Sequence, residues 1–133
     1  MFEITSLAAK DTFTHPLVNA NDEPLLDAAG KALSVTVYGP GSKPYQKANA
    51  ERTQRMMKRL QRKGKLEMSA EEQARENAAF LAACTVSFNG WSYKGDATAF
   101  EAAYADPSIG FIADQVSKAI GDWANFSQTS QSS

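Results

Sequence analysis

Residues 33–65 read LSVTVYGPGSKPYQKANAERTQRMMKRLQRKGK and contain both kinds of secondary structure expected in this chain. Residues 33–38 alternate apolar and polar side chains and include β-branched residues, which predicts a strand. Gly39-Pro-Gly-Ser42 ends this strand, and Ser42 is a favourable N-cap for the helix that follows. Gly64 then closes the helix in a left-handed turn. A strand that passes directly into a helix of about twenty residues, roughly 30 Å long, indicates a mixed fold.

This helix is unusually basic. Between Lys43 and Lys65 lie nine of the 14 Lys and Arg residues of the chain, and Glu51 is the only acid among them. Its apolar residues form at most a narrow stripe, made of Tyr45, Ala48, Met56, Met57 and Leu60. A helix that is polar on nearly every face needs a partner, bridges other elements, or is marginally stable.

Three interpretations of the basic helix stay open. It is a solvated face with ion pairs to the acidic residues after it (Glu67, Glu71, Glu72 and Glu76), or a docking surface for an acidic or amphipathic helical partner. In the docking interpretation Met56, Met57 and Leu60 are adaptable apolar contacts, and the cationic rim consists of Arg52, Arg55, Lys58, Arg59 and Arg62. Nucleic-acid binding is the least favoured, because interleaved aromatic residues and a helix-turn-helix partner are missing and the net charge is −1.

The remaining elements follow from shorter patterns. Residues 12–18 predict a strand that pairs with residues 33–38 in a small N-terminal hairpin. Ser69 and Glu72 form a capping box for a helix that ends near Thr85. Residues 86–95 predict a packed loop, and Asp96 a cap for a short helix that carries Phe100 and Tyr104. Apolar residues recur every three or four positions in a last helix from Pro107, namely Ile109, Ile112, Val116, Ile120, Trp123 and Phe126.

Together these elements predict an α+β fold with a mostly helical body and a small N-terminal β-hairpin layer. The length of 133 residues suits one domain over residues 1–126, followed by a disordered Ser/Gln/Thr tail at 127–133. The N-terminus lacks a signal-peptide pattern and no run of eighteen apolar residues occurs, which predicts a cytosolic protein without a membrane partner. A single cysteine fits a reducing compartment.

The residues give little support for catalysis. His15 is the only histidine and Cys84 the only cysteine, so a zinc site with four such ligands cannot form. Cys84 lies in an apolar helical stripe, where a buried inert thiol is the simpler interpretation. The segment Gly39-Pro-Gly-Ser42 lacks the glycine spacing and lysine of a phosphate-binding loop. We therefore expect no enzymatic activity, no metal and no cofactor.

The aromatic residues in the C-terminal half of the chain are predicted to anchor the core or an interface. Trp91, Tyr93, Trp123 and Phe126 are expected to be buried in the core or in an interface, because aromatic side chains dominate the energetics of both. Burial is favoured over an exposed ligand platform. If the basic helix proves to be only a solvated face, the loop around Trp91 is the next candidate for binding a partner.

Three stretches of this chain resemble the tail assembly chaperone family of long-tailed bacteriophages. They are HPLVNANDEPLLDAAGKALSVTVYGPGSKPY, the Trp91-centred loop followed by Gly95, and DPSIGFIADQVSKAIGDWANF, and together they span roughly residues 12–126. Their order and spacing match a short front hairpin, an aromatic loop and a closing helix. The density of charge in the basic helix is less typical of the family.

The resemblance implies a protein that acts in the host cytoplasm during assembly and is absent from the mature virion. Chaperones of this family are thought to bind the tape measure protein and keep it soluble until the tail tube polymerises around it. A longer frameshifted form in many members contacts the tail tube protein. The alternatives are a structural tail or virion component and, less favoured, a small DNA-binding regulator that uses the basic helix. Self-association and the oligomeric state stay open.

Overall fold

The computed structural model describes residues 1–65 and 67–127 and has an α+β fold with a helical majority, which confirms the predicted fold class. The strands are β1 (Thr12–Pro16), β2 (Ser34–Tyr38) and β3 (Thr85–Asn89). The α-helices are α1 (Lys43–Lys63), α2 (Ala70–Ala83), α3 (Phe100–Ala105) and α4 (Gly110–Gly121). Three short 3-10 turns lie at Ile4–Leu7, Pro107–Ile109 and Trp123–Phe126.

The sheet is antiparallel, with β2 in the centre and β1 and β3 on its two sides. Phe13 of β1 lies opposite Val37, and Phe88 of β3 lies opposite Val35. The predicted hairpin of β1 and β2 is present, but the prediction of a loop throughout residues 86–95 was wrong. Its first residues belong to β3, because their alternating pattern pairs with a strand some fifty residues earlier, a contact that local sequence does not show.

The core lies between the sheet and the helices. Val35 and Val37 of the central strand are completely buried, and so is Val116 on α4. The cluster draws on all three strands and all four helices, and its buried members include Leu17, Ala48, Ala78, Phe80, Leu81, Phe88, Ala103, Tyr104, Ile112, Ile120 and Phe126, with partly buried Phe13 packed against it. This continuous cluster joins the N-terminal hairpin to the helical body.

Local capping chemistry sets the ends of α1 and α2 as predicted. The Ser42 hydroxyl accepts a hydrogen bond from the Tyr45 N–H at 3.2 Å, and Gly64 ends α1 with φ of 68°. At the start of α2, the Ser69 hydroxyl accepts from the Glu72 N–H and the Glu72 carboxylate accepts from the Ser69 N–H. The helix ends at Ala83, with Cys84 as its C-cap.

The last predicted helix is shorter than expected. It begins as predicted at Asp106 and Pro107, through a 3-10 turn, but α4 ends at Gly121. Asp122 has an extended backbone, and its carboxylate accepts from the Ala124 N–H to start a new 3-10 turn. This break takes Trp123 off the apolar stripe, so the prediction that it is buried with Ile112, Val116 and Ile120 was wrong: its side chain is 59% exposed.

Asp96 does not cap the short helix. Its carboxylate accepts from the Thr98 N–H and hydroxyl in a local turn, while α3 begins at Phe100 without a side-chain cap. Within the described residues, no helix combines the length and apolarity needed to cross a bilayer. Ser127, the first residue of the predicted tail, is half-buried, and residues 128–133 lie outside the described part of the chain.

Candidate docking surface on helix α1

The face of α1 that meets α2 is ionic over its C-terminal half. Ala48 is the buried residue that the structure records on α1, and beyond it the inward positions are arginines. Arg55 Nε donates to both carboxylate oxygens of Glu76, at 2.7 and 3.0 Å. Arg59 Nε lies 3.5 Å from Glu72 Oε2. These contacts explain how a helix with few apolar residues is held against its neighbour.

Arg52 belongs to the same seam. Its guanidinium carbon lies 3.9 Å from the centre of the Phe80 ring, and its Nη2 donates to the Asn49 side-chain oxygen at 2.7 Å. A guanidinium over an aromatic face is attracted by the ring quadrupole. The first interpretation of the basic helix therefore describes its inner face, where the acids on α2 pair with arginines on α1.

Glu72 combines two roles at the end of this seam. It closes the capping box of α2 and accepts a hydrogen bond from Lys63 Nζ at 3.2 Å. The bond from Lys63 and that from the Ser69 N–H lower the pKa of Glu72 from 4.5 to about 2. One carboxylate thus connects the last turn of α1 to the first turn of α2.

This lowered pKa predicts an acid-sensitive contribution to stability. Because the folded-state pKa of Glu72 lies below its ordinary value, its contribution is complete above about pH 4.5 and is lost as the pH falls toward about 2. Glu72→Gln retains a side chain that closes a capping box but removes the charge. We expect urea unfolding to find Glu72→Gln less stable than the wild type at pH 7, with a smaller difference in the free energy of unfolding at pH 3.

Glu71→Gln is the matched control, because Glu71 lies in the same first turn of α2 but is exposed and outside the capping box. Glu71→Gln is expected to change the pH dependence of the free energy of unfolding much less than Glu72→Gln does. A stability gap for Glu72→Gln that is the same at pH 3 and pH 7 would contradict the assigned role.

The outward positions of α1 carry an apolar ridge. Met57 is 50% exposed and Met56 is 39% exposed, and Leu60, which is half-buried, lies one turn further along. Side chains three and four positions apart are neighbours on a helix surface, so these three form one strip. Lys58 and Arg62 are exposed on other sides of the helix, and Arg62 lines a hollow with Arg55 and Arg59 next to α2. We call Met56, Met57 and Leu60 the α1 ridge.

The five residues of the predicted cationic rim fall into two groups in the structure. Lys58 and Arg62 are exposed, but Arg62 lines the same hollow as Arg55 and Arg59 beside α2. Arg52, Arg55 and Arg59 instead contact Phe80, Glu76 and Glu72 within the protein. Sequence reasoning could not separate these two groups, because the position of α2 decides which arginines face inward.

Trp91 lies with the sheet. Its ring stacks on Phe88 with centroids 3.9 Å apart and planes at 18°, and its Nε1–H donates to the Ser34 carbonyl at 2.9 Å. The side chain is half-buried. Trp91 thus anchors the segment after β3 to the start of β2, while the other eight predicted docking residues lie on α1.

The histidine and the cysteine have structural environments. His15 Nε2 lies 3.0 Å from Gln115 Oε1, and the Gln115 amide also bonds the N–H and carbonyl of Val18. Cys84 is buried, and this burial raises the pKa of its thiol to about 12, so the thiol is protonated at neutral pH. Across residues 1–65 and 67–127, no group of three or more His, Cys, Asp or Glu side chains could hold a metal ion.

Sequence reasoning missed a second apolar surface. Ile4 and Leu7, in the first 3-10 turn, are 68% and 63% exposed, and they line one hollow with the exposed Trp123. Phe2, two residues before Ile4, is 71% exposed. We call Ile4, Leu7 and Trp123 the N-terminal apolar patch. The signal available was four large apolar residues in the first seven positions, but their exposure depends on how the chain meets the C-terminal turn.

Comparison with protein-family models, with curated proteins and with solved structures found no match.

Proposed function

We propose that this protein is a non-enzymatic phage tail assembly chaperone, which binds the tape measure protein and keeps it soluble in the host cytoplasm until the tail tube polymerises. The proposal rests on the resemblance of residues 12–126 to that family. The observation that carries it is the exposed α1 ridge, an apolar strip on a basic helix whose other face is held in place by ion pairs to α2. The assembly role also implies a contact with the tail tube protein and absence from the mature virion.

The ridge has the chemistry of a helix-binding surface. Methionine side chains are flexible and polarisable, so Met56 and Met57 adapt to differing apolar side chains along a long helical partner. An amphipathic helix binds such a strip through its own apolar face. Lys58 and Arg62, exposed on the same helix, favour a partner with a negative potential, and they raise the association rate more than the lifetime of the complex.

The ion pairs behind the ridge support this role. If a helix with so few buried apolar residues folded only on binding, the conformational entropy lost on folding would weaken the binding. Arg55 and Arg59 hold α1 to α2 beforehand, so the ridge is already ordered when a partner arrives. A rod-shaped partner covered by many copies needs only modest affinity for each copy, which a strip of this size provides.

The test is co-expression with the tape measure protein. We expect Met56→Ser/Met57→Ser to weaken binding by about tenfold, corresponding to roughly 1.4 kcal/mol of binding free energy, and so to lower the tape measure protein recovered in the soluble fraction. Lys58→Glu/Arg62→Glu should weaken co-purification most at low salt, because charge attraction is screened at high salt. All four side chains are exposed, so circular dichroism should show an unchanged fold.

Leu26→Ser is the matched control, since Leu26 is 55% exposed and lies in the turn between β1 and β2. It should leave the recovery of soluble tape measure protein unchanged. If all three variants recover as much soluble tape measure protein as the wild type, the docking surface is not on α1. The chain is more simply a structural tail component if the wild type does not keep the tape measure protein soluble. Detection of this chain in purified virions would favour the same alternative.

A further inference from the structure

We propose that a hollow between α1 and α2 binds the phosphate group of a small soluble compound. The volume of the hollow is about 370 Å³, and four arginines line it, Arg55, Arg59 and Arg62 from α1 and Arg75 from α2. We call it the arginine hollow. This inference is independent of the proposed chaperone function and concerns different residues from the α1 ridge.

Two of these arginines are held by acids of the same hollow. Arg55 Nε donates to both carboxylate oxygens of Glu76, and Arg59 Nε lies 3.5 Å from Glu72 Oε2. Glu72 also accepts a hydrogen bond from Lys63 Nζ at 3.2 Å. The charges of Glu72 and Glu76 are therefore compensated by neighbouring cations, and the two ion pairs fix α1 and α2 as the walls of the hollow.

Other donors in the arginine hollow are unused. Arg62 and Arg75 are exposed, and neither forms an ion pair with any described residue. Arg55 Nη2 is buried, and no atom in the described part of the chain accepts a hydrogen bond from it. Buried donors without an acceptor are rare in native proteins, and a bound water or ion is one explanation for them. Glu101, the third acid that lines the hollow, is exposed and forms no ion pair with the described residues either, so the free donors outnumber the free acid.

The free donors select an oxyanion as the ligand. A guanidinium group presents its N–H groups in a planar fork that matches the oxygens of a phosphate or a carboxylate. A phosphate group has three terminal oxygens, one for each of Arg55, Arg62 and Arg75, whereas a carboxylate has only two. The volume of the hollow lies at the small end of ligand clefts, which span roughly 300–1,000 Å³. The arginine hollow therefore suits the phosphate group of a small compound.

Acids around the hollow disfavour an extended polyanion such as a nucleic acid. Glu51 lies one turn before Arg55 on α1, Glu71 lies one turn before Arg75 on α2, and both acids are exposed. Residues four positions apart are neighbours on a helix surface, so phosphates that extend beyond the hollow in these directions meet like charges. The formal net charge of −1 also gives the whole chain no general attraction for nucleic acid. A compound small enough to stay inside the hollow avoids this repulsion.

The test is an NMR titration of the ¹⁵N-labelled full chain with inorganic pyrophosphate at neutral pH and low salt. We expect saturable shifts of arginine Nε–H signals, with a dissociation constant on the order of 1 mM. Arg75→Gln should weaken binding about tenfold, because it removes a charge-assisted donor from the hollow. Lys58→Gln is the matched control, since it removes the same charge from an exposed residue of α1 that does not line the hollow. It should bind pyrophosphate within about twofold of the wild type.

A variant with the opposite effect makes the test specific. Glu101→Gln removes the free acid from the hollow, so it should tighten pyrophosphate binding about two- to threefold.

Three results would overturn the proposal: shifts of the wild type that do not saturate up to about 10 mM pyrophosphate, equal weakening by Arg75→Gln and Lys58→Gln, or no tightening by Glu101→Gln. Tighter binding of a single-stranded DNA oligonucleotide than of pyrophosphate, at equal phosphate concentration, would overturn the assignment to a small compound. The titration contains no tape measure protein, so its outcome is separate from the test of the chaperone function.

Discussion

Replacement of Phe126 with alanine is expected to lower the free energy of unfolding by about 3–5 kcal/mol. The ring is completely buried and lies edge-on to Phe13, with centroids 5.9 Å apart. It also fills the space above Gly39, where an added Cβ would lie within 2.6 Å of three ring atoms. Its removal therefore leaves a cavity between the C-terminal turn and the junction of β2 with α1. Chemical denaturation followed by circular dichroism measures the loss.

Two further variants make this prediction specific. Trp123→Ala removes a larger aromatic from the same 3-10 turn, but it should cost well under half as much, because Trp123 is mostly exposed. Gly39→Ala should cost about 1–3 kcal/mol or more by overpacking against the Phe126 ring. In the Phe126→Ala background the same change should cost much less, a non-additivity expected of residues in direct contact. A loss below about 1 kcal/mol for Phe126→Ala would show that the turn is outside the cooperative core.

Ile112→Ala and Ile120→Ala on α4 are expected to cost about 2–5 kcal/mol each. Both side chains lie in the core cluster, at 8% and 2% exposure, on either side of the fully buried Val116. α4 packs on the central strand β2 and on α2 and α3, so a cavity at either position is enclosed by several elements. Denaturant unfolding with the midpoint and slope fitted separately measures the change.

Ile4→Ala is the matched control for both isoleucines. It deletes the same atoms from a side chain that is 68% exposed, so it should change stability by no more than about 0.5 kcal/mol. If both α4 variants also lost less than about 0.5 kcal/mol, the apolar stripe of α4 would have to face a partner and not the core.

Features that depend on a few neighbouring residues were predictable. Ser42 and Gly64 bound α1, and the Ser69 and Glu72 pair starts α2, because caps satisfy backbone groups that lie within one turn. The alternation at residues 33–38 indicated β2, since a strand with one buried face repeats every two residues. The α+β class followed from these local signals.

Other features were decided only by the tertiary structure. β3 exists because β2 offers an edge on which to pair, and its residues alone resemble a loop. Arg55 and Arg62 belong to one basic helix, yet Arg55 meets Glu76 on α2 whereas Arg62 is exposed. Their different roles depend on where α2 packs.

The C-terminal aromatics show the same division. From its own residues, the chain specified that an apolar helix follows Pro107 and that Trp123 and Phe126 continue its spacing. The fold decided that Asp122 breaks the helix, that Phe126 fills the space over Gly39, and that Trp123 is left exposed beside the N-terminal segment. Periodicity specifies which residues share a face of a helix, but burial depends on atoms brought together from distant parts of the chain.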